Sequence, residues 1–299
     1  MQSKSAKRKI RRPRGESIAD AIIVAALALF MLSVIYPFWN LLVQSLNDGY
    51  TAVGSLRLWP ERFTWGNYQY VLSNPYIWIG YRETIIRTVL GTFLSVLCTA
   101  CAAYTLSKPY APFRKILTLM VVIPMFFSGG LIPSYLWNVE LGLRNTRWVL
   151  ILPTLISSYN LIVMRNFFMA VPTELEESAR IDGANNIRIF YSIYIPVSKA
   201  VFATVSLWVM VSYWNEWFNA SIYINNADLI PLQVVLRRIL LEGTQQLMDI
   251  SPTMEDATKA SPDNIKAATV FVCMLPIMCV YPFLQKYFVK GTMLGAIKG

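Results

Sequence analysis

The 299-residue sequence predicts an all-α membrane protein with six transmembrane helices and both termini on one side of the bilayer. Three features of the chain point there. It is 55% hydrophobic with a mean hydropathy of +0.44, a membrane composition. Six apolar runs of span length are separated by polar or basic segments. On that topology seventeen of the 27 Lys and Arg residues fall on the side that holds the termini, which the positive-inside bias makes the cytoplasm.

Residues 1–17 form a basic cytoplasmic tail, with Lys4, Lys7, Arg8, Lys9, Arg11, Arg12 and Arg14, suited to anionic lipid headgroups. The first span is 18–42. It is too long for a signal-peptide core, and no small-x-small cleavage site follows. Residues 43–83 read as an external loop rich in interfacial aromatics, among them Trp59, Trp65, Tyr76 and Trp78. A core domain, 84–283, holds the other five spans. The second is 84–106, followed by a basic turn with Lys108, Arg114 and Lys115. The third is 116–137, where Pro124 and Gly129-Gly130 predict a kink or break near its outer end. The fourth is 148–168, the fifth 200–219 and the sixth 266–283. A long polar external loop covers 220–265, and 284–299 is a cytoplasmic tail.

The polar loop 171–199 stands apart. Glu174, Glu176, Glu177, Arg180, Asp182 and Arg188 are too many charges to cross a bilayer. Thr173 and Glu176 have capping-box spacing, and three carboxylates fall in the first turn. Glu176 and Arg180 are four apart, and the helix should stop at Gly183. A second amphipathic run, 184–194, with Ile187, Phe190, Tyr191 and Tyr194 on one side, ends at Pro196. The expected product is a helix–Gly–helix hairpin on the membrane surface.

Glu177-Ser178-Ala179, three residues, Gly183, nine residues, then Ile193-Tyr194-Ile195-Pro196 resembles the EAA loop of ABC importer permeases. Asp182-Gly183-Ala184 is typical of it, while Ser178 and Ile195 depart by small changes in size. Trp214-Asn215-Glu216-Trp217 resembles the Trp-Asn-Glu segment of the carbohydrate branch. Gly291 to Gly299, with Gly295 and Lys298, resembles that branch's C-terminal tail. Phe63 to Tyr68 resembles the segment before its core domain.

The resemblance implies a type I ABC importer permease fold with a cytoplasmic coupling helix. It implies ATPase coupling through Glu177, Ser178, Ala179, Asp182, Gly183, Ala184 and Pro196, and an ATPase-facing tail at Gly291, Gly295, Lys298 and Gly299. It also implies a second homologous permease, two ATP-binding subunits and an extracytoplasmic solute-binding protein as partners in the cell membrane. The substrate expected is a carbohydrate, an oligosaccharide and in some relatives an acidic one. Trp214, Asn215, Glu216 and Asn219 are the candidate substrate path, and Arg82, Arg87 and Arg144 are candidates at an outer mouth for an acidic sugar.

No histidine exists, so imidazole acid–base chemistry and His metal sites are excluded. No catalytic set and no metal ligands are assigned, and Cys98 and Cys101 read as packing residues. No phosphate-binding Gly-rich loop occurs, so ATP and Mg belong to the partner ATPase. A nucleic-acid role for the basic tail is set aside in favour of lipid. A permease for another polar solute such as a peptide, or a membrane-embedded scaffold or enzyme, remains the alternative.

Overall fold

The computed structural model describes residues 14–48, 58–242 and 261–296. Among these the fold is all-helical, with one isolated bridge between Asn47 and Phe63. Helix α1 (Arg14–Ser45) is apolar all round, and none of its most apolar stretch is buried within the chain. Such a helix belongs in lipid or against another subunit.

Its far end is fixed by polar groups. The last carbonyls of a helix lack intrahelical partners. Here the Asn67 amide donates to Ser45 O (2.9 Å) and Asn47 O (2.8 Å), and the Asn264 amide donates to Asn47 O (3.0 Å) and Asp48 O (2.8 Å). Asn67 lies on α2 (Gly66–Ser73) and Asn264 on the last long helix, so one cluster of amides ties three distant segments together.

Helix α3 (Pro75–Ser107) is the mast of the fold. Asn74 caps it by accepting from Tyr76 N at 2.9 Å, and Pro75 supplies the pre-set first turn. The second span therefore starts nine residues before the expected 84, and Arg82 and Glu83 sit on the helix rather than in a loop. One face of α3 is a stripe of small buried residues, Gly80, Thr84, Thr88, Gly91, Ser95 and Thr99, which lets neighbouring backbones approach closely. A Cβ on Gly91 would sit 2.8 Å from the Tyr213 ring, and one on Gly80 would sit 2.9 Å from Leu232 Cα.

The third expected span is broken where Pro124 and the glycines indicated. Helix α4 (Arg114–Phe126) and α5 (Leu131–Glu140) are separated by four residues, with Gly130 at φ 85°. The fourth is not one helix over 148–168. Two short 3-10 turns, Arg147–Leu150 and Leu152–Thr154, precede α6 (Ser158–Met169) with a 48° bend, because Pro153 cannot donate to a helical ladder. The polar hairpin is α7 (Thr173–Ile181) and α8 (Asn186–Ile189), and α9 (Ile195–Val197) leads from it to α10 (Lys199–Asn215) through an 83° bend.

Helix α10 stops at Asn215, four residues short of the expected end at 219, because Glu216 is used to start α11 (Phe218–Tyr223). Its carboxylate accepts from Asn219 N at 2.9 Å and from the Asn219 amide at 3.1 Å. The first part of the expected polar loop 220–265 is a packed element. There α12 (Leu232–Glu242) buries Leu232, Val234, Val235 and Ile239. Residues 243–260 lie outside the described part. Helix α13 (Pro262–Ala296) runs on through the expected sixth span into the tail.

Among the described residues three helices are long and apolar enough to cross a membrane, or five if each bent pair is one span. Two apolar clusters hold the bundle. One gathers Tyr70, Ile77, Trp214, Tyr223, Leu232 and Ile265. The other gathers Ala103, Met164, Phe168, Phe190, Tyr194 and Val205 beside the hairpin.

Gly91→Val should force the Tyr213 ring aside and cost about 1–3 kcal/mol, read as a lower thermal midpoint in detergent. Gly129→Ala, with no atom within 4 Å of the added carbon, should leave the midpoint unchanged.

Candidate functional site

The hairpin is built around Glu176. Pro172 precedes α7, and no side chain caps its first turn. The expected capping box between Thr173 and Glu176 does not form, because Glu176 turns inward and is 8% exposed. Only two of the three carboxylates, Glu174 and Glu176, fall in the first turn. One Glu176 oxygen takes an ion pair from Lys108 Nζ and a hydrogen bond from Tyr194 OH at 2.9 Å. The other accepts from Tyr110 OH at 3.0 Å and Arg180 Nη2 at 2.9 Å. Lys108 also donates to Tyr194 OH at 2.7 Å, and its ammonium lies over the Tyr104 and Tyr194 rings. Burial pushes the Glu176 carboxyl up, but the hydrogen bonds from Lys108, Arg180, Tyr194 and Tyr110 outweigh it and hold the group at about 2.

Helix α7 ends as Gly183 predicts. Gly183 takes φ 77°, Ala184 N donates to Ala179 O at 2.9 Å and Gly183 N donates to Arg180 O at 3.0 Å, a Schellman closure. Asn185 then caps α8 by accepting from Arg188 N at 2.8 Å. A π turn at Phe190–Tyr194 follows. The expected apolar face splits: Phe190 and Tyr194 are buried, whereas Ile187 and Tyr191 are exposed. Ile189, the last residue of α8, is buried instead.

Glu177, Ser178, Asp182, Gly183 and Pro196 lie on the exposed side of the hairpin, and Ala179 and Ala184 are half-buried beneath it. Ile181, 87% exposed, flanks the glycine turn. The inside of the hairpin is thus locked to the bundle, and its outside offers acids together with bare apolar side chains, Ile181 and Ile187 among them. The sequence marks Lys108 only as part of a basic turn and does not mark Tyr110 at all. Lys108 directly precedes Pro109, which forces an extended residue there and ends α3 with the lysine beside the hairpin.

The Trp-Asn-Glu segment is divided by the fold. Trp214 packs inside the first apolar cluster, and Asn215 is exposed. Glu216 and Asn219 line a cavity of about 220 Å3 between α3, α5, α6, α10 and α11. Arg87, 3% exposed, donates to Tyr213 O (2.6 Å) and Glu216 O (3.1 Å), a cation at the C-terminus of α10. Arg82 is engaged by Glu83 at 2.9 Å and by Asp228 O at 2.9 Å. Arg147 adds a bidentate pair to the buried Glu83 at 2.6 and 3.0 Å. Arg144 is exposed. Gly291 and Gly295 lie on the last part of α13, while Lys298 and Gly299 fall outside the described residues.

Residues 11–293 match the model of a family described as binding-protein-dependent transport system inner membrane component. The chain is 38% identical over 281 residues to the polygalacturonan/rhamnogalacturonan transport system permease protein YtcP of Bacillus subtilis, covering 94% of this chain and 98% of the relative. It is 41% identical over 269 residues to protein LplC of the same organism, covering 89% and 90%. Among solved structures, a chain of a bacterial ABC transporter involved in the import of the acidic polysaccharide alginate superposes with a TM-score of 0.87 at 29% identity. That match covers 94% of this chain and all of the other.

Replacing Glu176 by Leu strands the buried Lys108 and should cost about 3–5 kcal/mol, seen as easier proteolysis of the hairpin. Adding Lys108→Met should restore much of it. The Glu176 carboxyl titrates at about 2 in the fold against 4.5 when exposed. The cluster's contribution is therefore full above 4.5 and is lost as pH falls toward 2. Proteolysis of the hairpin should be flat from neutral pH to about 5 and rise below it.

Proposed function

The chain belongs to the family of binding-protein-dependent transport system inner membrane components, and we propose that within it the chain is the permease subunit that carries a carbohydrate oligomer through the cell membrane. It is a transport subunit of an ABC importer and not an enzyme. Such an importer works with an ATPase and a solute-binding protein. The finer assembly, with a second homologous permease and two copies of the ATPase, belongs to the proposal. So does the assignment of ATP and Mg to those copies rather than to this chain.

In this reading α1, α3, the α4–α5 pair, the 3-10 turns with α6, α10 and α13 are six passages. The hairpin and both termini lie in the cytoplasm, in keeping with the clustering of Lys and Arg there. Residues 1–17 and 284–299 are the cytoplasmic tails, and 84–283 is the core domain.

One observation carries the coupling role: the hairpin is pinned from inside by Glu176 and Lys108 while Glu177, Asp182 and Gly183 stay exposed. A rigid projection held in this way transmits a push from an ATPase cleft to α6 and α10 as a rigid-body motion. Ser178, Ala179, Ala184 and Pro196 complete the coupling loop. The tail residues Gly291, Gly295, Lys298 and Gly299 are assigned to the ATPase interface. Carbohydrate as the cargo is supported by the relatives named above. Trp214, Asn215, Glu216 and Asn219 are the proposed substrate path, the last two at the cavity wall.

Glu177→Lys reverses an exposed charge and should leave the fold intact. Gly183→Val forces a branched side chain to a positive φ at about 1–2 kcal/mol. Each should reduce co-purification with the ATPase and ATP-dependent uptake into vesicles by about tenfold or more, the equivalent of about 1.4 kcal/mol. Wild-type levels of both in Glu177→Lys would remove the hairpin from the coupling role.

A further inference from the structure

The cavity beside α10 has a composition that the coupling role does not use. Its walls include Val149 and Leu150 from one apolar cluster and Val209 and Tyr213 from the other, yet most of the remaining lining is polar. Asn160 on α6 is 8% exposed and Ser95 on α3 is 2% exposed. Both line the cavity, and neither side-chain amide nor hydroxyl is spent on a strong bond within the described protein: Asn160 enters only through its backbone N–H. Such groups at a cavity wall are satisfied only by what the cavity holds. Asn138, 6% exposed, donates to Tyr223 OH at 3.0 Å and keeps its carbonyl oxygen. Glu216 accepts one hydrogen bond on each oxygen from Asn219 and has lone pairs remaining. Trp208 brings an indole to the same wall.

Amides, hydroxyls, one carboxylate and one indole around a small void suit a sugar ring, with its many hydroxyls and its apolar C–H faces. An apolar cavity of about 150 Å3 admits a benzene ring. The larger void here has room for one six-membered ring with its substituents. The lining contains Glu216 as its one charged residue and no Lys or Arg. A ligand carboxylate would meet this like charge at the wall, while the nearest cation, Arg87, is buried against the carbonyls of Tyr213 and Glu216 and does not line the cavity.

We propose that this cavity is a subsite for a single neutral pyranose unit of the cargo, and that Glu216 excludes a uronate from it. The inference rests on the carbohydrate reading above and narrows it. If the cargo carries acidic units, their charge is met outside this cavity.

The test uses the importer assembled with its ATPase in lipid vesicles. Cys98, Cys101, Cys273 and Cys279 are replaced by Ala, and Ser212→Cys or, as a second position, Ser134→Cys is introduced at the wall. A methanethiosulfonate reagent then reports access. Methyl galactoside and the methyl glycoside of galacturonate are the probes, since they differ only at C6. At about ten times its dissociation constant a bound glycoside leaves about one site in ten empty, so the neutral probe should slow modification about tenfold and the uronate should not. Asn160→Leu should abolish the protection, and Glu216→Gln should extend it to the uronate. Equal protection by both probes in the Glu216 protein, or protection by neither at both wall positions, overturns the proposal. Uptake of a labelled oligosaccharide by vesicles of the unsubstituted importer separates the two levels. Uptake without protection removes the subsite alone, and no carbohydrate uptake removes the carbohydrate reading together with it.

Discussion

The buried pair of Lys108 and Glu176 is the contact on which the polar part of this molecule depends. Taking both charges out of water costs several kcal/mol per ion, and mutual attraction recovers that only when the remaining hydrogen-bonding capacity is filled. Here it is filled. Glu176 also accepts from Tyr194, Tyr110 and Arg180, and Lys108 donates to Tyr194 and faces two aromatic rings. The geometry links the end of α3, the first helix of the hairpin and the π turn that follows. An apolar contact of the same size would tolerate sliding. A carboxylate with four donors does not, so the hairpin has one position relative to the mast.

A second set of polar groups determines where helices stop. Asn67 and Asn264 close the end of α1, Glu216 opens α11, and Arg87 gathers the carbonyls at the end of α10. In a membrane every backbone group needs a partner inside the protein. At these three ends a side chain stands in for the missing ladder bond. The small-residue stripe on α3 works in the opposite sense, since at Gly80 and Gly91 contact is made by the absence of a side chain. Between these contacts lies a polar void, bounded by the segment whose helix was broken at Glu216.

Much of the architecture was legible along the chain. Apolar runs located the long helices α1, α3 and α13 because burying about twenty apolar residues in lipid is a local decision. Pro124 with Gly129-Gly130 marked the break between α4 and α5, and Gly183 marked the end of α7, because both act through their own backbone angles. Glu176 shows the limit. Its spacing from Thr173 fits a cap and its spacing from Arg180 fits a surface pair. Only the second forms, because Lys108, 68 residues earlier in the chain, draws the carboxylate inward. The start of α3 at Pro75 was missed because aromatics such as Trp78 read as an interface belt, although the Asn74-Pro75 start signal was present.

By itself, then, the sequence determined the long apolar helices, the break between α4 and α5 and the glycine stop of α7, since composition, periodicity and turn residues act over a few residues. Tertiary structure decided which polar residues face inward. It turned Glu176 to Lys108, divided the Trp-Asn-Glu segment between an apolar cluster and a cavity wall, and brought Ser95, Asn138 and Asn160 from three helices to Glu216. Those choices depend on partners far apart in the chain, and no local pattern encodes the desolvation and pairing that select them.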